Sequence, residues 1–197
     1  MVHPGGARLG RVEDRVSDAF DATPRAGFLP RLARGRASYD GPIQIGRGQT
    51  NSQPRTVDAM LRLLEVREGD RVLDVGAGSG WSTALLAHLA GPTGEVVGVE
   101  LEPTLVEFGR ANLARVGRPW ARIEAADPTR LGWPDEAPYD RVLVSAEPRE
   151  LPGELVEQVA EGGRMVIPVS GTMLLLRRTP AGTEVTEHGG YRFVPLR

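Results

Sequence analysis

The chain has 197 residues, with 24 basic and 26 acidic side chains and a formal net charge of -2, the size and balance of one ordinary globular domain without the electrostatic footprint that a phosphate backbone or an anionic membrane requires. All the basic residues are arginine and there is no cysteine, which excludes lysine Schiff bases, a P-loop lysine, disulfides, thiolate nucleophiles and cysteine zinc sites. With 25 Gly and 16 Pro the chain is rich in turns but short of low complexity, and it has no apolar run of signal-peptide or membrane-spanning length, so a cytoplasmic protein without nucleic-acid or membrane partners is expected.

Val12, Val16, Ala19 and Phe20 give one apolar helical face from about Arg11 to Asp21, which Pro24 ends. From Thr23 to Ser52 no period holds, and a loop that long in a compact chain points to a binding loop or lid. Pro54 suits the first turn of a helix, with Ser52 as N-cap and Val57, Met60, Leu61 and Leu64 at helical spacing. Arg71 to Val75 reads as a buried strand, followed by Gly76-Ala77-Gly78-Ser79-Gly80 and a helix carrying Leu85, Leu86 and Leu89. Next come a strand at Glu95 to Glu100, a helix at Thr104 to Val116, strands at Ala121 to Ala125 and Arg141 to Ser145, a helix at Leu151 to Ala160 and a strand at Arg164 to Val169. Thr172 to Arg178 and Thr183 to Pro195, joined by Pro180-Ala181-Gly182, read as an antiparallel hairpin. This alternation predicts an α/β fold, a doubly wound and mainly parallel seven-stranded sheet with a C-terminal antiparallel hairpin. The whole chain, 1–197, is expected to form a single domain: 1–54 supply a helix and a covering loop, and 55–197 a Rossmann-like core.

In such a sheet the ligand lies beyond the carboxyl end of the first strand, here at Gly76 to Gly80, where glycines let the backbone turn tightly and approach a ligand. Glu100 ends the second strand about 20 residues on, where a carboxylate accepts ribose hydroxyls. Asp74, two residues before the first glycine, is expected near the pocket mouth, where it would attract a cationic amino group rather than a pyrophosphate. Simpler roles remain open: Asp74 as a strand-end carboxylate bonded to backbone, Ser52 as a helix cap, and Asp127 as a turn former before Pro128.

The Gly-x-Gly-x-Gly spacing with an upstream acid resembles the first motif of S-adenosylmethionine-dependent methyltransferases of the Rossmann-like class I. More specific are Pro24-Arg25-Ala26-Gly27-Phe28-Leu29-Pro30, Tyr39-Asp40-Gly41-Pro42-Ile43-Gln44-Ile45-Gly46, Gly48-Gln49-Thr50-Asn51-Ser52-Gln53-Pro54, Ala137-Pro138-Tyr139-Asp140 and Phe193-Val194-Pro195-Leu196. Together these resemble the protein-L-isoaspartate O-methyltransferases from about Val12 to Leu196. The resemblance implies methyl transfer from S-adenosylmethionine, leaving S-adenosylhomocysteine, to the free α-carboxylate of an isoaspartyl residue in a protein or peptide, as the first step of repair. It implies Ser52 as the active-site residue, Ile45, Gly46 and Thr50 around donor and substrate, Asp74, Gly76, Ala77, Gly78 and Ser79 in the cofactor loop, Glu100 and Leu101 at the ribose, and Asp127 with Pro128 beside the adenine.

Three departures from the family pattern bear on the site. Asp127-Pro128 stands where Asp-Gly is usual, and proline removes an N–H that faces the adenine. Glu147 in Ala146-Glu147-Pro148 places a carboxylate near the expected substrate mouth, and Ser170-Gly171-Thr172-Met173 is a shortened loop lacking a glutamine. His3, His88 and His188 are too scattered for a metal site, so none is expected, and Trp81, Trp120 and Trp133 read as packing. A carboxylate is already ionised at neutral pH, so the chemistry needs alignment and exclusion of water more than a base. Rival readings are a carboxyl methyltransferase maturing one dedicated peptide, a non-catalytic adenosyl-ligand or partner-binding module, and, more remotely, a nicotinamide dehydrogenase. A monomer is favoured.

Overall fold

A computed structural model describes residues 14–197. Its core is a seven-stranded sheet made of β3 (Arg71–Val75), β4 (Glu95–Glu100), β5 (Ala121–Ala125), β6 (Tyr139–Val144), β7 (Val159–Val169), β8 (Thr172–Thr179) and β9 (Gly182–Gly190), in the order β5-β4-β3-β6-β7-β8-β9. The first five strands pair in parallel, and β8 and β9 add an antiparallel meander. This is the doubly wound sheet expected.

Period-two packing builds its two faces. Val72, Val96, Leu143 and Val166 turn to one side, where they meet α2 (Pro54–Leu64), α3 (Trp81–Ala90), α4 (Pro103–Val116) and Ala19 of α1 (Arg15–Ala22). Leu73, Val97, Val142 and Met165 turn to the other, under Leu155 of α5 (Gly153–Glu157) and Tyr139. Strands buried on both faces read as continuous apolar runs rather than alternating ones. Among the described residues no helix is long and apolar enough to cross a membrane.

Several element boundaries differ from the expectations. The first helix is described from Arg15; its expected start, at 11–13, lies outside the described residues, as does His3. The stretch from Thr23 to Ser52 is not structureless, because two short 3-10 turns and a hairpin of β1 (Ile43–Gly46) with β2 (Gln49–Asn51) organise it. Helix α5 has only 5 residues, because Val159 is captured into the sheet opposite Tyr139. Strand β9 ends at Gly190 rather than Pro195; beyond it only Pro195 bridges, in parallel, to Glu147. The shortened loop at Ser170-Gly171 is the two-residue turn between β7 and β8, with φ of 45° and 85°, the positive values that a type I′ hairpin turn demands.

Candidate active site

The chain order reverses between β3 and β6, and the carboxyl ends of these strands open a cleft there. It encloses about 970 Å³, solvent at its open mouth included. Its floor is Gly76 to Ser79, one wall is Glu100 and Leu101, another is Ser145 and Ala146, and β2 with the following Ser52 covers it.

The loop is shaped by its glycines. Gly76 has φ 84° and Gly78 φ 52°, and a Cβ on Gly78 would lie 3.2 Å from Ile45 Cδ1, so a side chain there would be strained and would press on the covering hairpin. Glu100, only 8% exposed, accepts Gly78 N–H at 2.8 Å on one oxygen and Glu102 N–H at 2.9 Å on the other. A carboxylate has about four lone-pair positions, so Glu100 is oriented by the backbone with capacity left toward the cleft.

Asp74 is not at the pocket mouth. It is fully buried on the face of β3 that meets α3, where one oxygen accepts from Ser82 Oγ and Thr83 Oγ1, each at 2.7 Å, and the other has no partner. Alternation along the strand turns its side chain beneath the loop instead of into the cleft. Burial raises its pKa from 3.8 to about 6, the bonds from Thr83 and Ser82 opposing the shift and the charge of Glu100 adding to it.

Ser52 lies on the cleft, and the alternative that it caps α2 does not hold: the cap position is Gln53, without a side-chain cap bond. Thr50, Gly76, Ala77, Gly78, Ser79, Glu100, Leu101 and Asp127 are also on the cleft wall. Ile45, Gly46 and Pro128 are not on it; Ile45 is buried in a small cluster with Leu29, Ile43 and Leu105. Asp127 Oδ1 accepts from Thr129 N at 2.8 Å and Thr129 Oγ1 at 2.7 Å, bonds that hold its carboxyl below the usual range. It is therefore a turn former and a wall residue together, and Pro128 sits in that turn, away from the wall.

Glu147 is not a carboxylate of the substrate mouth either. Its oxygens accept Gly171 N–H at 2.7 Å and Phe193 N–H at 3.0 Å, and its backbone pairs with Val194 and Leu196. It pins the C-terminal stretch so that Val194 to Arg197 form part of the cleft. Those residues, together with Arg130, Asn51 and Trp81, were missing from the sequence-derived site. The Phe-Val-Pro-Leu motif was the available signal for the tail; nothing in the sequence spacing pointed to Arg130. The tryptophans pack as expected: Trp81 is 3% exposed and donates to Thr23 O at 3.0 Å. Among the described residues no His, Asp and Glu cluster suits a metal ion.

The strand order, the glycine loop and the strand-end acid are those of a Rossmann-like class I methyltransferase. Residues 8–197 match the family Protein-L-isoaspartate(D-aspartate) O-methyltransferase (PCMT), and the chain belongs to it. It is 44% identical over 93% of its length to a protein-L-isoaspartate O-methyltransferase of Methanopyrus kandleri, covering 83% of that protein. With the enzyme of that name from Myxococcus xanthus it shares 40% identity, over 96% of this chain and 92% of the relative. A Plasmodium falciparum protein-L-isoaspartate O-methyltransferase structure in complex with S-adenosyl-L-homocysteine superposes with a TM-score of 0.83 at 25% identity, over 95% of this chain and 92% of the other.

Proposed function

We propose that this chain transfers a methyl group from S-adenosylmethionine to the α-carboxylate of isoaspartyl residues in proteins or peptides, using the cleft at the switch point. The observation that carries the reading is Glu100, buried at the end of β4 and aimed by Gly78 N–H, above a loop whose positive-φ glycines leave the floor open to a ligand. The lining carries two acids, Glu100 and Asp127, beside two arginines, Arg130 and Arg197, and no nucleotide-type phosphate cradle of lysine is possible in a chain without lysine. Glu100 and Leu101 would hold the ribose, Gly76 to Ser79 the amino-acid portion, and Asp127 the adenine edge. Ile45, Gly46, Asp74 and Pro128 would act through the shape of hairpin, loop and turn rather than by contact.

S-adenosylmethionine supplies an electrophilic methyl carbon on a sulfonium; a carboxylate oxygen takes that methyl as the carbon–sulfur bond breaks, giving a methyl ester and S-adenosylhomocysteine. The chain's own work is placement. Among the described residues the cleft wall carries the hydroxyls of Thr50, Ser52, Ser79, Ser82 and Ser145 but no histidine, cysteine or lysine, in keeping with a nucleophile that arrives ionised. Ser52, just past the end of the covering strand, would orient the carboxylate through a neutral hydrogen bond, whereas a cation paired with it would stabilise the reactant and blunt its attack. The β1–β2 hairpin and the tail held by Glu147 exclude water from the reacting oxygen. Incubation with S-adenosylmethionine and an isoaspartyl peptide should give S-adenosylhomocysteine in an amount equal to the peptide methyl ester plus the succinimide that the ester forms on losing methanol, by mass spectrometry. Donor binding without either product would refute the reading.

A further inference from the structure

Among the described residues, Arg25 is the most heavily engaged side chain outside the cleft wall. It lies between α1 and the hairpin, 6% exposed, and all its hydrogen bonds go to neutral oxygens. Nε donates to Asn51 Oδ1 at 2.6 Å, Nη1 to Tyr39 O at 2.8 Å, and Nη2 to Gly41 O at 2.8 Å, Asn51 O at 3.0 Å and Ser52 O at 2.8 Å. Its guanidinium carbon stands 5.5 Å from the centre of the Trp81 ring. One planar fork thus gathers the start of β1, the end of β2 and the backbone of Ser52.

The contacts also carry a direction. A guanidinium only donates, so Asn51 must turn its amide oxygen to Arg25 and its NH2 the other way. That NH2 donates to Ser79 Oγ at 3.1 Å, while Asn112 Nδ2 holds Ser79 O at 2.8 Å. The Ser79 hydroxyl is thereby an acceptor from Asn51, and its proton is left to serve the cleft, which Ser79 lines.

We propose that Arg25 is a positioning residue for methyl transfer: it sets the place of Ser52 over the donor loop and, through Asn51, the hydrogen-bond polarity of Ser79. The inference rests on the reading of the cleft given above, so wild-type turnover and S-adenosylhomocysteine binding are measured first and judge that reading by themselves. Lysine cannot reproduce the planar fork, so Arg25→Lys releases Ser52 and Asn51 together. Asn51→Asp still accepts from Arg25 but offers Ser79 no donor, so it breaks only the second link.

The experiment compares kcat and KM for an isoaspartyl peptide, and Kd for S-adenosylhomocysteine by calorimetry, at a temperature where circular dichroism shows each variant folded. Arg25→Lys should lower kcat by about 100-fold, the scale of an ångström-level misplacement, with a rise of roughly three- to tenfold in Kd. Asn51→Asp should raise Kd by a similar three- to tenfold, the scale of one lost hydrogen bond, with a smaller loss of kcat than in Arg25→Lys. Wild-type kcat in Arg25→Lys, or equal losses of kcat, peptide KM and Kd in step with thermal stability, would overturn the proposal. If Arg25→Lys does not fold, Asn51→Asp decides: an unchanged Kd overturns it and a raised Kd supports it.

Discussion

The sheet and the segment that covers it are held by different physics. In the sheet and the helices packed on it, side chains such as Leu73, Val142 and Val166 of the strands and Leu86 of α3 are fully buried in two apolar layers, and stability comes from area removed from water. In the covering segment Phe28 joins the main core, and the rest of the apolar contribution is a small cluster in which Leu29, Ile43 and Ile45 meet Leu105 of α4. Its shape is fixed instead by donors reaching into backbone carbonyls: Arg25 as described, Trp81 to Thr23 O at 3.0 Å, Arg115 to Gly27 O at 3.1 Å. In a packed layer the cost of a substitution scales with the atoms removed, whereas a hub of bonds meeting in one residue fails as a unit.

The largest break in this comparison should come from the sheet side. Leu86→Ala, at a 0% exposed position, should cost about 2–5 kcal/mol of stability in urea unfolding, with kcat near wild type at a temperature where the variant stays folded. A large loss of kcat in folded Leu86→Ala would show that the core and the covering segment are not separable in this way.

Asp74 tests the join between the two regions. Its carboxyl titrates at about 6 in the folded chain against 3.8 as an ordinary aspartate, so the native state binds its proton more tightly than the unfolded state does. The stability this group contributes is present below about pH 4, falls as the pH rises toward 6 and stays lost above it. Asp74→Asn should lack that fall, so its unfolding free energy relative to wild type should rise by up to about 3 kcal/mol between pH 4 and 7 for a pKa raised to about 6. A difference that stays constant with pH contradicts the assignment.

Ser52→Ala should leave unfolding free energy within about 0.5 kcal/mol of wild type, because the hydroxyl makes no cap bond on α2 and a surface substitution without such a role is close to neutral. It should lower kcat/KM by about 100-fold with little change in donor affinity, as expected for an interaction made in the transition state. Loss of stability with normal kinetics would return Ser52 to a structural role. Smaller again is Glu100→Ala: S-adenosylhomocysteine affinity should fall by about 1.5–3 kcal/mol, the scale of hydrogen bonds to a charged group, read by calorimetry.

The same contrast explains what could be read in the sequence. Val72, Leu73 and Val75, or Leu85, Leu86 and Leu89, announce strand and helix because burial imposes a period, and the sheet with its hairpin follows from their alternation. The glycine loop and Glu100 were legible because a fixed spacing from a strand end is itself a geometric statement. Asp74 was placed at the wrong depth because alternation sends it under the loop, and the hairpin between Thr23 and Ser52 was missed because its cohesion is a side chain bonding to carbonyls 12–27 residues away, which leaves no period. Glu147 carried an ambiguous signal: a carboxylate near a cleft looks the same in sequence whether it faces a substrate or, as here, the N–H groups of Gly171 and Phe193.

The reaction proposed for this cleft is methylation of the α-carboxylate of isoaspartyl residues. Tritiated-methyl transfer from S-adenosylmethionine, measured on one peptide synthesised with either isoaspartyl or normal aspartyl linkage at the same position, tests it most directly. Base-labile label is expected on the isoaspartyl form and none above background on the aspartyl form, with the Ser52→Ala variant reduced in parallel on the first. Equal labelling of both forms, or of neither while S-adenosylhomocysteine binds normally, would contradict it.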